Sequence, residues 1–206
     1  MSIKNLNQLL NYLNTLIIIE SMTSQDKLFM IDENGYLTQA TQIESPNYDS
    51  RPPKQTISLV VIHSISLPPN KFGNSHIEDF FKNDLDISQH AYFKKIKDLK
   101  VSSHFLIKRK GELIQFVSCL KKAWHAGESV WKNKKNCNDF SIGIELEGSD
   151  IIKYEDIQYK VLLKLLKSLR MKYPVTDIVG HSDIAPGRKT DPGHFFDWNL
   201  INSENL

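Results

Sequence analysis

Cysteine is scarce in this chain: its 206 residues hold two, Cys119 and Cys137, too far apart for a C-x-x-C pair. That excludes a zinc ribbon or dithiol redox motif, and the two thiols suit a reduced compartment or simple packing, with no support for a disulfide. No apolar run approaches the roughly 18 residues of a membrane helix. Excess charge of one sign is also missing, since a formal net charge of +2 is too small to argue for nucleic acid. Lysines do cluster locally at Lys94, Lys95, Lys97 and Lys100, and again at Lys132, Lys134 and Lys135. They read as a solvated surface or as attraction for an acidic small substrate. There is no internal repeat, and no small-x-small cleavage site follows Ile19, so the first residues do not read as a secretory leader. The expectation is a cytoplasmic monomer with no nucleic-acid or membrane partner.

The composition is ordinary for a soluble globular protein, with 40% hydrophobic and 24% charged residues. Leu6, Leu9, Leu10, Leu13 and Ile17 recur at helical spacing, so residues 1–29 read as an N-terminal extension forming an amphipathic helix. Residues 30–206 read as one domain. Within it, Ile57 to Ile62 is apolar apart from Ser58 and suits a strand buried on both faces. Helices are expected over residues 75–82 and 88–98. Two apolar segments flank Lys110-Gly111, a hairpin signal. Residues 140–147 alternate, with Ile142, Ile144 and Leu146 on one face and Glu145 and Glu147 on the other, the pattern of a half-buried strand. Ile157, Val161, Leu162, Leu165, Leu166 and Leu169 mark the longest helix, over residues 154–172, ended by Tyr173-Pro174. A last strand over 175–179 leads into His181. Together these give an α/β fold of α+β type, one domain with a central mixed β-sheet flanked by α-helices.

Two distant stretches offer the halves of one zinc site. Val60-Val61-Ile62-His63 puts a histidine after a buried strand, and Gly180-His181 begins a segment that runs to Asp191-Pro192-Gly193. Two imidazoles and a carboxylate are the ligand set of a catalytic zinc that keeps a fourth position open. On this reading His63, His181 and Asp191 hold Zn2+. Glu145 is the general base, and Lys189, two residues from Asp191 and on the same side of an extended segment, stabilises an oxyanion. The same residues also fit a hydrogen-bonded core histidine, a turn aspartate before Pro192 and a solvated strand face. No H-E-x-x-H pair locks two ligands by local geometry, so spacing alone leaves both readings open.

Six segments carry a more specific signal. They are Ser45-Pro46-Asn47-Tyr48-Asp49 with Arg51-Pro52, Val61-Ile62-His63-Ser64, Val101-Ser102-Ser103-His104, Ala123-Trp124-His125-Ala126-Gly127, residues 137–148 and residues 180–193. In this order the chain resembles the type 2 N-acetylmuramoyl-L-alanine amidases, whose fold is shared with peptidoglycan-recognition proteins. It is most similar to their cytoplasmic branch acting on 1,6-anhydro-muropeptides. The resemblance implies zinc at His63, His181 and Asp191, catalytic roles for Glu145 and Lys189, and substrate binding by Arg188. It implies hydrolysis of the amide between (1,6-anhydro-)N-acetylmuramic acid and L-alanine of a muropeptide, in cell-wall recycling. Trp124 and His125 are candidates for a sugar-facing wall. Ser64 stands where asparagine is usual and Lys100 where arginine is common, and Arg and Lys grip a carboxylate differently. The alternatives are an amidase of intact peptidoglycan and a binding module without activity; loss of a ligand would favour the last, and none is lost.

Overall fold

The computed structural model describes residues 28–203, so the expected helix within residues 1–29 lies almost entirely outside them. The chain order is β1 (Thr41–Gln42), β2 (Tyr48–Ser50), β3 (Leu59–Ile65), α1 (His76–Lys82), α2 (Phe93–Ile96), β4 (Phe105–Ile107), β5 (Leu113–Gln115) and β6 (Lys121–Ala123). Then come β7 (Val130–Trp131), β8 (Lys134–Lys135), β9 (Ser141–Glu147), α3 (Asp156–Lys172), β10 (Asp177–Gly180), α4 (His181–Ile184) and α5 (Trp198–Ser203). Six strands form one mixed sheet in the order β1-β5-β4-β9-β3-β10. Within this sheet only the β4–β5 pair is antiparallel; β9, β3 and β10 run parallel side by side. The hairpin turns where the sequence places it, with Gly111 at φ +85.

Period-two alternation decides which side chains meet which layer. Val60, Ile62, Ile142, Ile144 and Leu146 form one cluster with Leu162, Leu165, Leu166 and Leu169 of α3. Each such leucine contributes on the order of 1.5–3 kcal/mol by leaving water. Leu106 and Ile114 project to the opposite face, where they join Phe80 and Phe81 of α1 and Phe93 and Ile96 of α2. Helix α3 starts at a capping box, in which the Gln158 side chain accepts from the Glu155 backbone N–H at 3.1 Å.

Three expectations are corrected. Helix α2 spans four residues rather than residues 88–98, because the Asp86 carboxylate accepts from the Ser88 N–H, the Ser88 hydroxyl and Gln89, which holds that stretch in a turn. Ile157 does not join the core face of α3 but stays 43% exposed, leaning against Gly111 of the hairpin turn. Strand β9 is buried along all seven residues, not on one face only. Its polar side is covered by other chain segments rather than by water.

Parallel pairing of β3 with β9 puts His63 and Glu145 directly opposite each other. His181 follows the last residue of β10. The crevice at the carboxyl ends of these parallel strands is where such sheets present functional side chains.

Candidate metal centre and active site

His63 sits inside β3, two residues from its end, with 1% of its surface exposed. His181 opens α4 and is 3% exposed. Asp191 arrives from the following loop, anchored where the Ser182 N–H donates to its backbone carbonyl at 3.0 Å. Three ligand-type atoms converge. His63 Nδ1 lies 2.9 Å from His181 Nδ1, and Asp191 Oδ2 lies 3.2 Å from the first and 3.1 Å from the second. His181 Nε2 faces the Ala126 carbonyl oxygen at 3.1 Å. A carbonyl only accepts, so the His181 proton belongs on Nε2 and its Nδ1 presents a lone pair to the other two atoms. Lone pairs and a carboxylate oxygen crowded at this distance repel unless a cation lies among them. The donor set therefore fits a divalent metal, and two imidazoles with one carboxylate fit zinc in particular.

The electrostatics of the pocket point the same way. Burial holds the His63 imidazole down at about 4, which outweighs the opposing pull of Asp191. A neutral ring is the ligand form. Burial pushes the Asp191 carboxyl upward, but the close approach of the His181 and His63 rings overcomes it and leaves the group well below the ordinary carboxylate range. Glu145 moves the other way. Burial raises it well above its usual value, the Asp191 charge adds to this, and Lys189 opposes it. Its Oε2 is buried without a hydrogen-bond partner.

These groups open into a cleft of about 570 Å³ lined by His63, Glu145, His181, Lys189 and Asp191. Ser64, half-buried, and Trp124 also line it, the indole N–H of Trp124 donating to Asp49 at 2.8 Å. His125 touches the cleft but is buried behind His63, with both ring nitrogens engaged at 2.9 and 3.0 Å by His63 and Ser141. Arg188 and Lys100 are exposed and do not line the cleft. The Arg188 guanidinium is spent on the carbonyls of Ala126 and Glu128, at 2.7 and 2.6 Å. Arg51 donates to the carbonyls of Asn138, Asp139 and Ser141. His104 is fully buried: the Gly143 N–H donates to its Nδ1, which leaves Nε2–H for the Lys121 carbonyl. Cys119 and Cys137 are separate, buried thiols.

Sequence reasoning passed over Asn138. Its Oδ1 accepts from the backbone N–H groups of both His125 and Ala126, at 3.2 and 2.8 Å, and so fixes the segment that backs both histidines. An isolated asparagine carries no spacing signal for such a role.

Residues 53–194 match the family model described as N-acetylmuramoyl-L-alanine amidase. The chain is 48% identical over 171 residues to the 1,6-anhydro-N-acetylmuramyl-L-alanine amidase AmpD of Escherichia coli strain K12, covering 82% of this chain and 93% of that protein. A crystal structure of a selenomethionine AmpD derivative superposes with a TM-score of 0.82 at 46% identity, over 84% of this chain and 98% of that one. The amidase AmiD of E. coli, solved in complex with anhydro-N-acetylmuramic acid-L-Ala-D-γ-Glu-L-Lys, matches with a TM-score of 0.52 at 28% identity, over 86% of this chain and 66% of that one. The fold, the matched segment and the identity across most of both chains agree: this chain belongs to the N-acetylmuramoyl-L-alanine amidase family.

Proposed function

We propose that this protein is a zinc-dependent amidase that hydrolyses the amide between 1,6-anhydro-N-acetylmuramic acid and the L-alanine of a muropeptide, in peptidoglycan recycling. The observation that carries the reading is the convergence of His63, His181 and Asp191 within 3.2 Å of one another, beside a buried glutamate with an unpartnered oxygen. Relatives named for this activity, at nearly half identity, supply the substrate class. The cleft volume lies in the usual range for small-molecule sites.

His63, His181 and Asp191 would hold the zinc. When bound, it supplies Lewis acidity to the scissile carbonyl and to water. Glu145 takes the proton from the attacking water and delivers it to the alanine nitrogen as the C–N bond breaks, which leaves a carboxylic acid on the lactyl group and a free amine on the peptide. A carboxyl raised by burial suits this double role, because it holds a transferred proton more firmly than an ordinary carboxylate does. Lys189, on the same wall, meets the negative charge that develops on the carbonyl oxygen. Trp124 and Ser64 line the cleft where the sugar and stem peptide would lie. The same reading includes a cytoplasmic monomer; the two buried free thiols suit a reducing compartment.

Mass spectrometry of anhydro-N-acetylmuramyl-tripeptide after incubation with the purified protein tests this. Free peptide should appear, stop appearing with a chelator, and return with zinc. Zinc-loaded protein that leaves this compound intact but cleaves whole peptidoglycan would move the substrate to the cell wall.

A further inference from the structure

Both imidazoles of the centre are held from behind by one short segment. Ala126 faces His181 through its carbonyl, and His125 faces His63 through its ring, with His63 Nε2 2.9 Å from His125 Nδ1. The other side of the His125 ring meets a serine on β9, where Nε2 lies 3.0 Å from Ser141 Oγ. Ser141 Oγ in turn donates to the Cys137 carbonyl at 2.6 Å. These contacts fix every proton in the row. The carbonyl only accepts, so the single hydroxyl proton of Ser141 is committed to it. Ser141 must then accept from His125, which places the His125 proton on Nε2. His125 Nδ1 is left bare and accepts from the Nε2–H of His63. The remaining nitrogen of His63, Nδ1, is therefore a lone pair, and it is the atom that faces His181 and Asp191.

The backbone is shaped to admit this row. A Cβ at Gly143 would stand 2.5 Å from His125 Cγ and 2.7 Å from Nδ1, so only glycine at this point of β9 leaves space for the ring. Asn138 pins the peptide on either side of the His125 Cα through two N–H groups. His125, Ser141 and Cys137 are all buried, which shields the row from competing water.

We propose that His125 and Ser141 are positioning residues for the metal: a proton-ordered chain running from the Cys137 carbonyl through Ser141 and His125 fixes His63 as an Nδ1 ligand. This rests on the reading that His63, His181 and Asp191 bind zinc. It gives His125 a task other than sugar contact, since both of its ring nitrogens are already engaged.

Two measurements test it. Long-range ¹H–¹⁵N NMR on the zinc-loaded, unmutated protein should find the His125 proton on Nε2 with Nδ1 bare, and the His63 proton on Nε2. Zinc affinity, by chelator competition at neutral pH, should fall about 10–100-fold in His125→Phe and in Ser141→Ala, the usual range for losing a group that orients a ligand histidine. A His125 proton found on Nδ1, or unchanged zinc affinity in both variants, overturns the positioning role while leaving the metal site intact. Wild-type protein that takes up no zinc, or a His63→Ala variant that binds it as well as wild type, defeats the metal reading itself and the positioning role with it.

Discussion

Glu145 keeps a carboxylate oxygen in the interior without a donor, an arrangement that costs stability and is retained where a reaction needs it. Because burial raises its carboxyl well above the ordinary value, the folded protein favours the protonated form. The associated stability is fully present below the ordinary carboxyl range and is lost as pH rises through the raised value. Glu145→Gln should therefore lower turnover by about 10²–10⁴-fold, the usual contribution of general acid–base catalysis. In metal-free protein the melting temperature of the variant should gain on wild type as pH rises from 4.5 to 8. Parallel melting curves across that range would remove the claim that ionised Glu145 burdens the fold. Lys189 is exposed and makes no part of the core. Lys189→Ala should spare fold and zinc content and still cost about 10²–10³-fold in kcat, the scale of one oxyanion donor. Normal turnover in that variant would end its proposed role.

Strand β9 shows how one element can carry a site. Its even positions, Ile142, Ile144 and Leu146, go to the core under α3. On the odd face, Ser141 supports His125, Gly143 makes room for that ring, Glu145 reaches the cleft, and Glu147 accepts from the backbone N–H groups of Gly73 and Arg109 at 2.6 and 3.0 Å. Gly73 belongs to the loop whose Ser66, Leu67, Pro69 and Asn70 form one wall of the cleft. Glu147→Ala removes the acceptor of both amides and should destabilise the protein by about 1–3 kcal/mol in total, since Gly73 is exposed and its N–H can turn to water. With its wall loosened, the enzyme should show a raised KM more than a lowered kcat, and unchanged zinc content; an unaltered KM would deny the loop its tether. The alternation made the core face of β9 legible from sequence, as the run at Ile57 to Ile62 did for β3. Apart from Glu145 it left the odd face unread, because a period of two separates apolar from polar but does not distinguish water from a polar partner brought in from residue 73, 109 or 125. Helix α2 was overread for a related reason: its apolar spacing is real, but the Asp86 side chain competes for the backbone locally. Motif order picked out His63, His181 and Asp191, which the fold brings together, while the fate of Arg188 depended on which backbone carbonyls the fold left free near it, and no motif records that.

At the scale of the whole molecule, the site makes the fold sensitive to acid. His63 and His104 are held down at about 4 and about 3, and His125 well below its usual value, in each case chiefly by burial, with the Arg51 charge adding to the effect at His104. In the unfolded chain all three would protonate near 6.5. Below that pH the unfolded state binds more protons than the native state, so stability is fully present above about 6.5 and declines as pH falls toward the depressed values. Each histidine kept neutral removes up to about 1.4 kcal/mol per pH unit in that window. Zinc at the proposed site would act in the same direction, since its ligands must stay deprotonated, and would add about 2.7 kcal/mol at neutral pH when present at 100 times its dissociation constant. Urea denaturation of the metal-free protein should give a nearly constant midpoint from pH 8 to 7 and a steep fall from 6.5 to 5, above the range where most carboxylates titrate. His104→Asn keeps an acceptor for the Gly143 N–H but cannot be protonated. It should be less stable than wild type at pH 8 and show a shallower fall below 6.5, by about one proton. A wild-type midpoint that stays level down to pH 5 would mean that the buried imidazoles take up protons without unfolding the chain, and the neutral, lone-pair state assigned to the histidines around the metal centre would have to be abandoned.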